Sequence, residues 1–262
     1  MNVIILTAIV FVIAFTMVMT GKGGGNFYVV ALVMGGLAMH QAATMGQLIL
    51  ILTAITGMLI FNKNKLVDWK LALVIDPVTD IMAFFGGYFS GYVQGFYLKI
   101  LLAVLLVLAG FFMLLKFKNN PIENKDKFGY WHREYGGYNY VVNLWLAIPI
   151  TAVVGLTAGA VGISGGSFKV PLMVLLCGVP MRIAVGTSSA MVAATALMGF
   201  IGHTATGHFD HTLAIPLGIA AISGGIIGSK FAIKTKPDNL KKIFAFTTLA
   251  AAVFMVINAM QG

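Results

Sequence analysis

Two short stretches have the residue types to hold an anion. Residues 21–27 read Gly-Lys-Gly-Gly-Gly-Asn-Phe and residues 162–168 read Gly-Ile-Ser-Gly-Gly-Ser-Phe, so both fit G-x-[GS]-G-G-x-F at an offset of 141 positions. Glycines at a helix start leave backbone N–H groups unpaired, and the helix dipole adds partial positive charge. That combination binds anions. Gly23, Gly24, Gly25 and Asn26 form this element in the first copy, and Gly165, Gly166 and Ser167 form it in the second. Close helix packing is the alternative use of such glycines.

Charged and hydrogen-bonding residues gather near both stretches. Lys22 lies inside the first, Lys169 follows the second, and Arg182 stands a little further on. A cation in an apolar segment is costly unless paired or hydrated, which makes these three candidates to hold an anion; snorkelling to headgroups is the other reading, and the better one for Lys99. Gln47 in the first half and Thr187, Ser188 and Ser189 in the second offer amide and hydroxyl donors. The hydroxyls can equally bond their own helix backbone. Asp76 and Asp80 are four apart, hence on one helix face. They suit proton coupling or the neutralisation of a nearby cation, or Asp76-Pro77 is a cap at a helix break.

The elements that position these residues are apolar. Of 262 residues 59% are hydrophobic and 10% charged, against about 25% charged in an ordinary soluble domain. The mean hydropathy is +0.95. Many of the apolar runs are long enough to cross a bilayer core of about 30 Å, so the chain reads as an all-α membrane protein. Segments are expected near 2–20, 27–39, 41–61, 71–92 and 97–115, and again near 141–160, 168–179, 183–203, 212–231 and 243–260. The run 2–20 lacks the basic start and the cleavage site of a signal peptide and reads as a retained helix.

Both halves follow one plan: a long segment, a glycine break, a short segment and three long ones. This divides the chain into a first repeat (1–116), a cytoplasmic linker (117–139) and a second repeat (140–262). Thirteen of the 17 Lys and Arg residues fall in 62–70, 116–139 and 229–242, which the positive-inside rule puts in the cytoplasm. The basic loop precedes the fourth segment of the first half but follows the fourth of the second. The halves are therefore expected in opposite orientations, with about five hydrophobic helices each, or three spans and a re-entrant pair. Glycine-broken segments at matching places in inverted repeats point to a transporter binding site.

Other classes find no support. The formal charge of +9 lies in loops and serves orientation, not nucleic-acid binding. Cys177 is the sole cysteine, so no internal disulfide forms. His203, His208 and His211 lack the spacing of a structural zinc site. No Walker A sequence, nucleophile set or dinucleotide fingerprint is present, so neither enzyme activity nor a cofactor is expected.

The run Gly162-x-Ser-Gly-Gly-Ser-Phe168, Val170-Pro171-Leu172, Gly178-Val179-Pro180 and Ala184-Val185-Gly186-Thr187-Ser188 resembles the sulfite exporter TauE/SafE family. Val67-Asp68-Trp69 before the fourth segment matches the same pattern. The resemblance implies a multi-pass protein of the bacterial cytoplasmic membrane that moves sulfite, sulfoacetate or organosulfonates. The residues themselves say only "small anion", and leave open a passive channel or a non-transporting membrane partner.

Overall fold

In the computed structural model, the described residues are 3–37, 39–89, 100, 104, 106–108, 110–111, 114, 128–161, 166–204 and 211–261. They are mainly helical. In chain order they form α1 (Val3–Thr20), α2 (Gly25–Met34), α3 (Met39–Lys63), α4 (Trp69–Phe89), β1 (Tyr130–Tyr135), β2 (Tyr138–Asn143), α5 (Leu144–Val161), α6 (Gly166–Pro171) leading into a π turn (Leu172–Leu176), α7 (Met181–Thr204), α8 (His211–Lys234) and α9 (Pro237–Gln261). The expected segment 97–115 and most of the linker lie largely outside the described residues.

The helices are apolar on all sides, as lipid requires. Ile4 (75% exposed), Leu73, Ile215 and Phe246 (68%) all point outward, a pattern that marks contact with lipid or a partner. Among the described residues three helical stretches, Val3–Thr20, Thr44–Lys63 and Thr212–Lys234, are long and apolar enough to cross a membrane. Backbone groups in hydrocarbon must be satisfied within the segment, and helices do this.

The aromatic end of the linker is folded into strands. Tyr130–Tyr135 pairs antiparallel with Tyr138–Asn143 as a hairpin. Its turn, Gly136-Gly137, has both residues at positive φ, 62° and 78°, the backbone a tight two-residue hairpin demands. The alternation of aromatic and polar residues there is a strand signal.

The chain packs as two compact units. One comprises Met1–Val67 and Val185–Thr235, the other Asp68–Ala184 and Lys236–Gly262. In the first, α1 lies along α8, and α3 packs on the same helix. Gly224 makes this possible: a Cβ there would lie 2.7 Å from the Phe11 carbonyl oxygen. Gly228 faces Phe15 and Val18 as tightly, and Gly225 faces Thr56 of α3. Val10, Ala14, Tyr28, Leu32, Ile49 and Leu217 belong to the core they enclose. In the second unit α4 lies along α5. A Cβ at Gly155 would strike the Thr79 carbonyl. Small residues thus set the spacing of helices in both units.

Gly224→Val is expected to destabilise the folded protein by about 1–3 kcal/mol, the usual cost of overpacking. Ile219→Val, at an exposed position of the same helix, should be near neutral. Thermal unfolding of the purified protein in detergent checks both.

Candidate functional site

The first glycine stretch is a helix stop followed at once by a helix start. Gly21 takes a φ of 71°. Its N–H bonds to the Val18 carbonyl at 3.1 Å, and the Lys22 N–H to that of Met17 at 3.3 Å. This double bond pattern is a Schellman closure, which needs a left-handed residue at its centre. Gly24, at φ 83° and ψ 14°, then opens α2 without a capping side chain. The first turn of α2 therefore starts with backbone amides and no competing side-chain acceptor at the cap, as anion binding requires. At 10 residues α2 is about 15 Å long, half a bilayer core.

The break is wedged against α7. A Cβ on Gly21 would lie 2.7 Å from the Val185 carbonyl oxygen. The Ser188 hydroxyl donates to the Gly21 carbonyl oxygen at 2.7 Å. Gly23 sits so near Leu50 and Val192 that any side chain there would collide with both. Two motifs far apart in the chain, the first glycine stretch and Val185–Ser189, thus meet within one unit, through a bond between residues 167 positions apart. Lys22 is buried there, 3% exposed. The neighbouring hydroxyl behaves differently: Ser189 bonds its own helix, at the Val185 carbonyl, 2.9 Å. Thr187 is fully buried.

Gln47 stands on α3 at the place corresponding, 141 residues earlier, to Ser188. Its Oε1 is buried with no hydrogen-bond partner among the described residues, an arrangement that costs about 1–3 kcal/mol unless something fills it. Tyr28, one turn into α2, is fully buried and shares a 3.0 Å hydrogen bond with Thr53 of α3. This tie between α2 and α3 was not foreseen; a tyrosine four residues after the N-cap glycine was its only trace.

The second stretch lies in the other unit. Gly165 falls outside the described residues, as does the side chain of Asn26. Gly166 is buried, Ser167 half-buried, and Lys169 is 2% exposed. Lys169 Nζ donates to Asp76 Oδ1 of α4, a buried ion pair between partners 93 positions apart. Of the readings open for Asp76, this is the neutralisation of a nearby cation. The cap reading is corrected: α4 runs unbroken through Pro77, so Asp76 lies inside a helix. Asp80, one turn on, is close enough for its charge to act on Asp76. Arg182 lies half-buried in the first turn of α7.

A second polar cluster explains the Val67-Asp68-Trp69 element. Asp68 Oδ1 accepts the N–H groups of Lys70 and Leu71, both at 3.1 Å, and so caps α4. Arg133 of β1 grips the same carboxylate with two nitrogens, at 3.1 and 2.6 Å. Tyr140 of β2 donates its phenol to Oδ2, and Trp131 lies 4.8 Å beneath the guanidinium. The hairpin is thereby clasped to the start of the helix that carries Asp76. Burial opposes charge on Asp68, but the bonds from Arg133, Tyr140 and the Leu71 amide outweigh it and hold the carboxyl below the usual aspartate range. A carboxyl shifted down in the folded state binds protons more readily when unfolded. Its stabilisation is complete above about pH 4, the unfolded value, and is lost as pH falls through the lower folded value. Thermal stability should therefore drop in acid below pH 4. Asp68→Asn should remove that component and cost about 2 kcal/mol at neutral pH, the worth of a charged hydrogen-bond set. Melting curves across pH for both proteins check this.

The comparisons with known proteins agree with a membrane transporter. The family model "Sulfite exporter TauE/SafE" matches residues 6–255. "Probable membrane transporter protein YunE" of Bacillus subtilis (strain 168) is 29% identical over 185 residues, 70% of this chain and 68% of its own length. "Probable membrane transporter protein" of Xylella fastidiosa (strain 9a5c) is 22% identical over 191 residues, 72% of this chain and 69% of its own. "Probable membrane transporter protein YdhB" of Bacillus subtilis (strain 168) is 29% identical over 112 residues, 43% and 46% of the two chains. No solved structure matches. These relatives are membrane transporters and not enzymes, and with a family match spanning nearly all of its length, the chain belongs to the sulfite exporter TauE/SafE family.

Proposed function

We propose that this protein is a secondary transporter of small sulfur-containing oxyanions, such as sulfite, sulfoacetate or another organosulfonate. It works by alternating access between two inverted repeats, in a bacterial cytoplasmic membrane that it crosses several times. The observation that carries the reading is one order of elements found twice: a long apolar helix, α1 or α5, leads through a glycine stretch to a shorter helix, α2 or α6, and then to a long one, α3 or α7.

The packing supports the repeat as well. The first helix of the first half, α1, lies along α8, the fourth helix of the second half. The first helix of the second half, α5, lies along α4, the fourth of the first. Each compact unit thus draws on both repeats, as interleaved inverted repeats would. Lys63, Lys65 and Lys70 face the cytoplasm, as do Lys230, Lys234 and Lys236, which sets the orientation.

Two places suit the anion, one in each unit. One is the uncapped start of α2 with Lys22, Gly23, Gly24, Gly25 and Asn26, together with Gln47 and Thr187, while Ser188 positions the break by its bond to the Gly21 carbonyl. The other is the start of α6 with Gly165, Gly166, Ser167 and Lys169, with Arg182 adding charge. Amides at helix starts suit the several equivalent acceptor oxygens of sulfite or a sulfonate. The Gln47 side-chain N–H groups are suited to donate to one further oxygen.

Proteoliposomes holding the purified protein should take up labelled sulfite in a saturable manner. Gly24→Leu, which closes the start of α2, should lower the rate at least about tenfold, the effect of losing about 1.4 kcal/mol of binding. Wild-type flux in that variant would contradict the site, and uptake that never saturates would indicate a channel.

A further inference from the structure

We propose that Phe128 and Trp145 form an aromatic wedge that enters the headgroup–acyl boundary of the bilayer and holds the starts of α4 and α5 at that depth. The partner is the lipid surface itself, and the inference does not depend on what is transported.

The wedge is exposed and yet firmly mounted. Phe128 is 90% exposed and Trp145 64%. Their ring centroids lie 6.1 Å apart, with the planes tilted by 60°, a favoured aromatic arrangement. Three hydrogen bonds hold this corner together. The Leu144 N–H donates to the Gly129 carbonyl at 2.8 Å. The Trp145 indole N–H donates to the Phe128 carbonyl at 3.0 Å, and the Trp145 backbone N–H to Asn143 Oδ1 at 3.1 Å. Gly129, at φ 91°, lets the indole lie against the turn, since a Cβ there would be 2.1 Å from Trp145 Nε1. The indole N–H is thus satisfied inside the protein, and what the pair presents outward is apolar ring surface. Such surface is unfavourable in water, so a mount this firm points to an apolar medium outside it.

The surroundings say which medium that is. Ile148, one turn on from Trp145, and then Val153 and Leu156 carry exposed apolar surface along α5, whose apolar run begins at Leu144. In a membrane protein that surface lies in lipid, and the wedge is its continuation. The hairpin at the other edge is polar. His132, Glu134 and Asn139 share the strand face opposite to Arg133 and Tyr140, and all three are exposed. The wedge therefore stands where apolar helix surface gives way to polar strand surface. That is where tryptophan rings sit at a membrane–water boundary.

Helix α4 starts at the same level. Gly155 packs on Thr79, and the two lie equally far along the chain from Trp145 and Trp69, about 15 Å of helix in each case. The hairpin leads straight into α5 and clasps Asp68 at the start of α4, so the two helices begin together. Trp69, 45% exposed, and the exposed Lys70 are thereby placed at the depth of the wedge. An indole and an ammonium there suit the headgroup layer, the ammonium its phosphates. All three tryptophans of the chain, Trp69, Trp131 and Trp145, gather at this end.

The test uses the full-length protein in vesicles of phospholipid brominated either near the headgroup or near the tip of the acyl chain. In the double variant Trp69→Phe/Trp131→Phe the one remaining tryptophan is Trp145. Its fluorescence should be quenched mainly by the bromines nearer the headgroups, and little by acrylamide in the water. If that variant does not assemble, Phe128→Cys carrying a nitroxide label reads the same depth, by its exposure to oxygen against a water-soluble nickel complex. Cys177 is buried and stays unlabelled. The label should lie about 15 Å from the midplane, at the edge of the hydrocarbon core. Quenching by acrylamide without quenching by the lipid bromines, or a label in water, overturns the inference. Quenching by neither agent overturns it too, since a protein partner then covers the rings. Quenching strongest at the chain tips, or a label near the midplane, overturns it by placing the rings too deep. Each of these contrary results leaves the transport reading standing.

Discussion

A backbone that stops being helical inside a membrane has nowhere to hide its polar groups. The break at Gly21–Gly24 meets this constraint in steps. The Schellman closure spends the Gly21 and Lys22 amides on the last turn of α1. The Ser188 hydroxyl takes up the Gly21 carbonyl. Gly24 then starts α2 without a side-chain cap, so the polar groups still on offer are the amides of that first turn. Those amides are what the proposed anion site would use.

The close approach of Gly21 to Val185 makes the same point from the side of packing. Only glycine allows the left-handed φ and the bare backbone contact together. The serine two turns into α7 is aligned with the break because its helix is pressed against it. The Val185–Ser189 hydroxyl stretch and the first glycine stretch are in this unit one structural element, joined by a hydrogen bond. The hairpin clasp plays a comparable role for α4: one carboxylate caps the helix, binds Arg133 and receives Tyr140. That fixes the start of the helix on which Asp76 and Asp80 sit.

Much of this was legible in the sequence. Nine of the ten expected segments appear as helices with ends shifted by a few residues, because lipid makes long apolar runs unambiguous. Glycine breaks were visible as residues that no helix interior favours. The hairpin at 130–143 was not read, since a solvated stretch rich in Tyr and Asn carries both loop and strand signals. Pro77 was read as a possible helix break, yet the helix passes through it, as neighbouring helices and local adjustment allow in membranes. Pairings such as Lys169 with Asp76 were beyond reach for a different reason. Partners 93 positions apart have no local pattern to announce them, and only the packing of α6 near α4 brings them together. The same holds for Ser188 and Ser189: adjacent and chemically alike, they divide between a cross-chain bond and a bond to their own helix purely by which face each presents.

The account stands on the claim that the two glycine-opened helix starts bind the same kind of anion through their amides. Hydrogen–deuterium exchange in nanodiscs, with and without sulfite, tests it most directly. Slowed exchange on 24–28 and on 166–169 together, saturating at one sulfite concentration, is the predicted result. Unchanged exchange in both segments, or slowing confined to loops elsewhere, would contradict it.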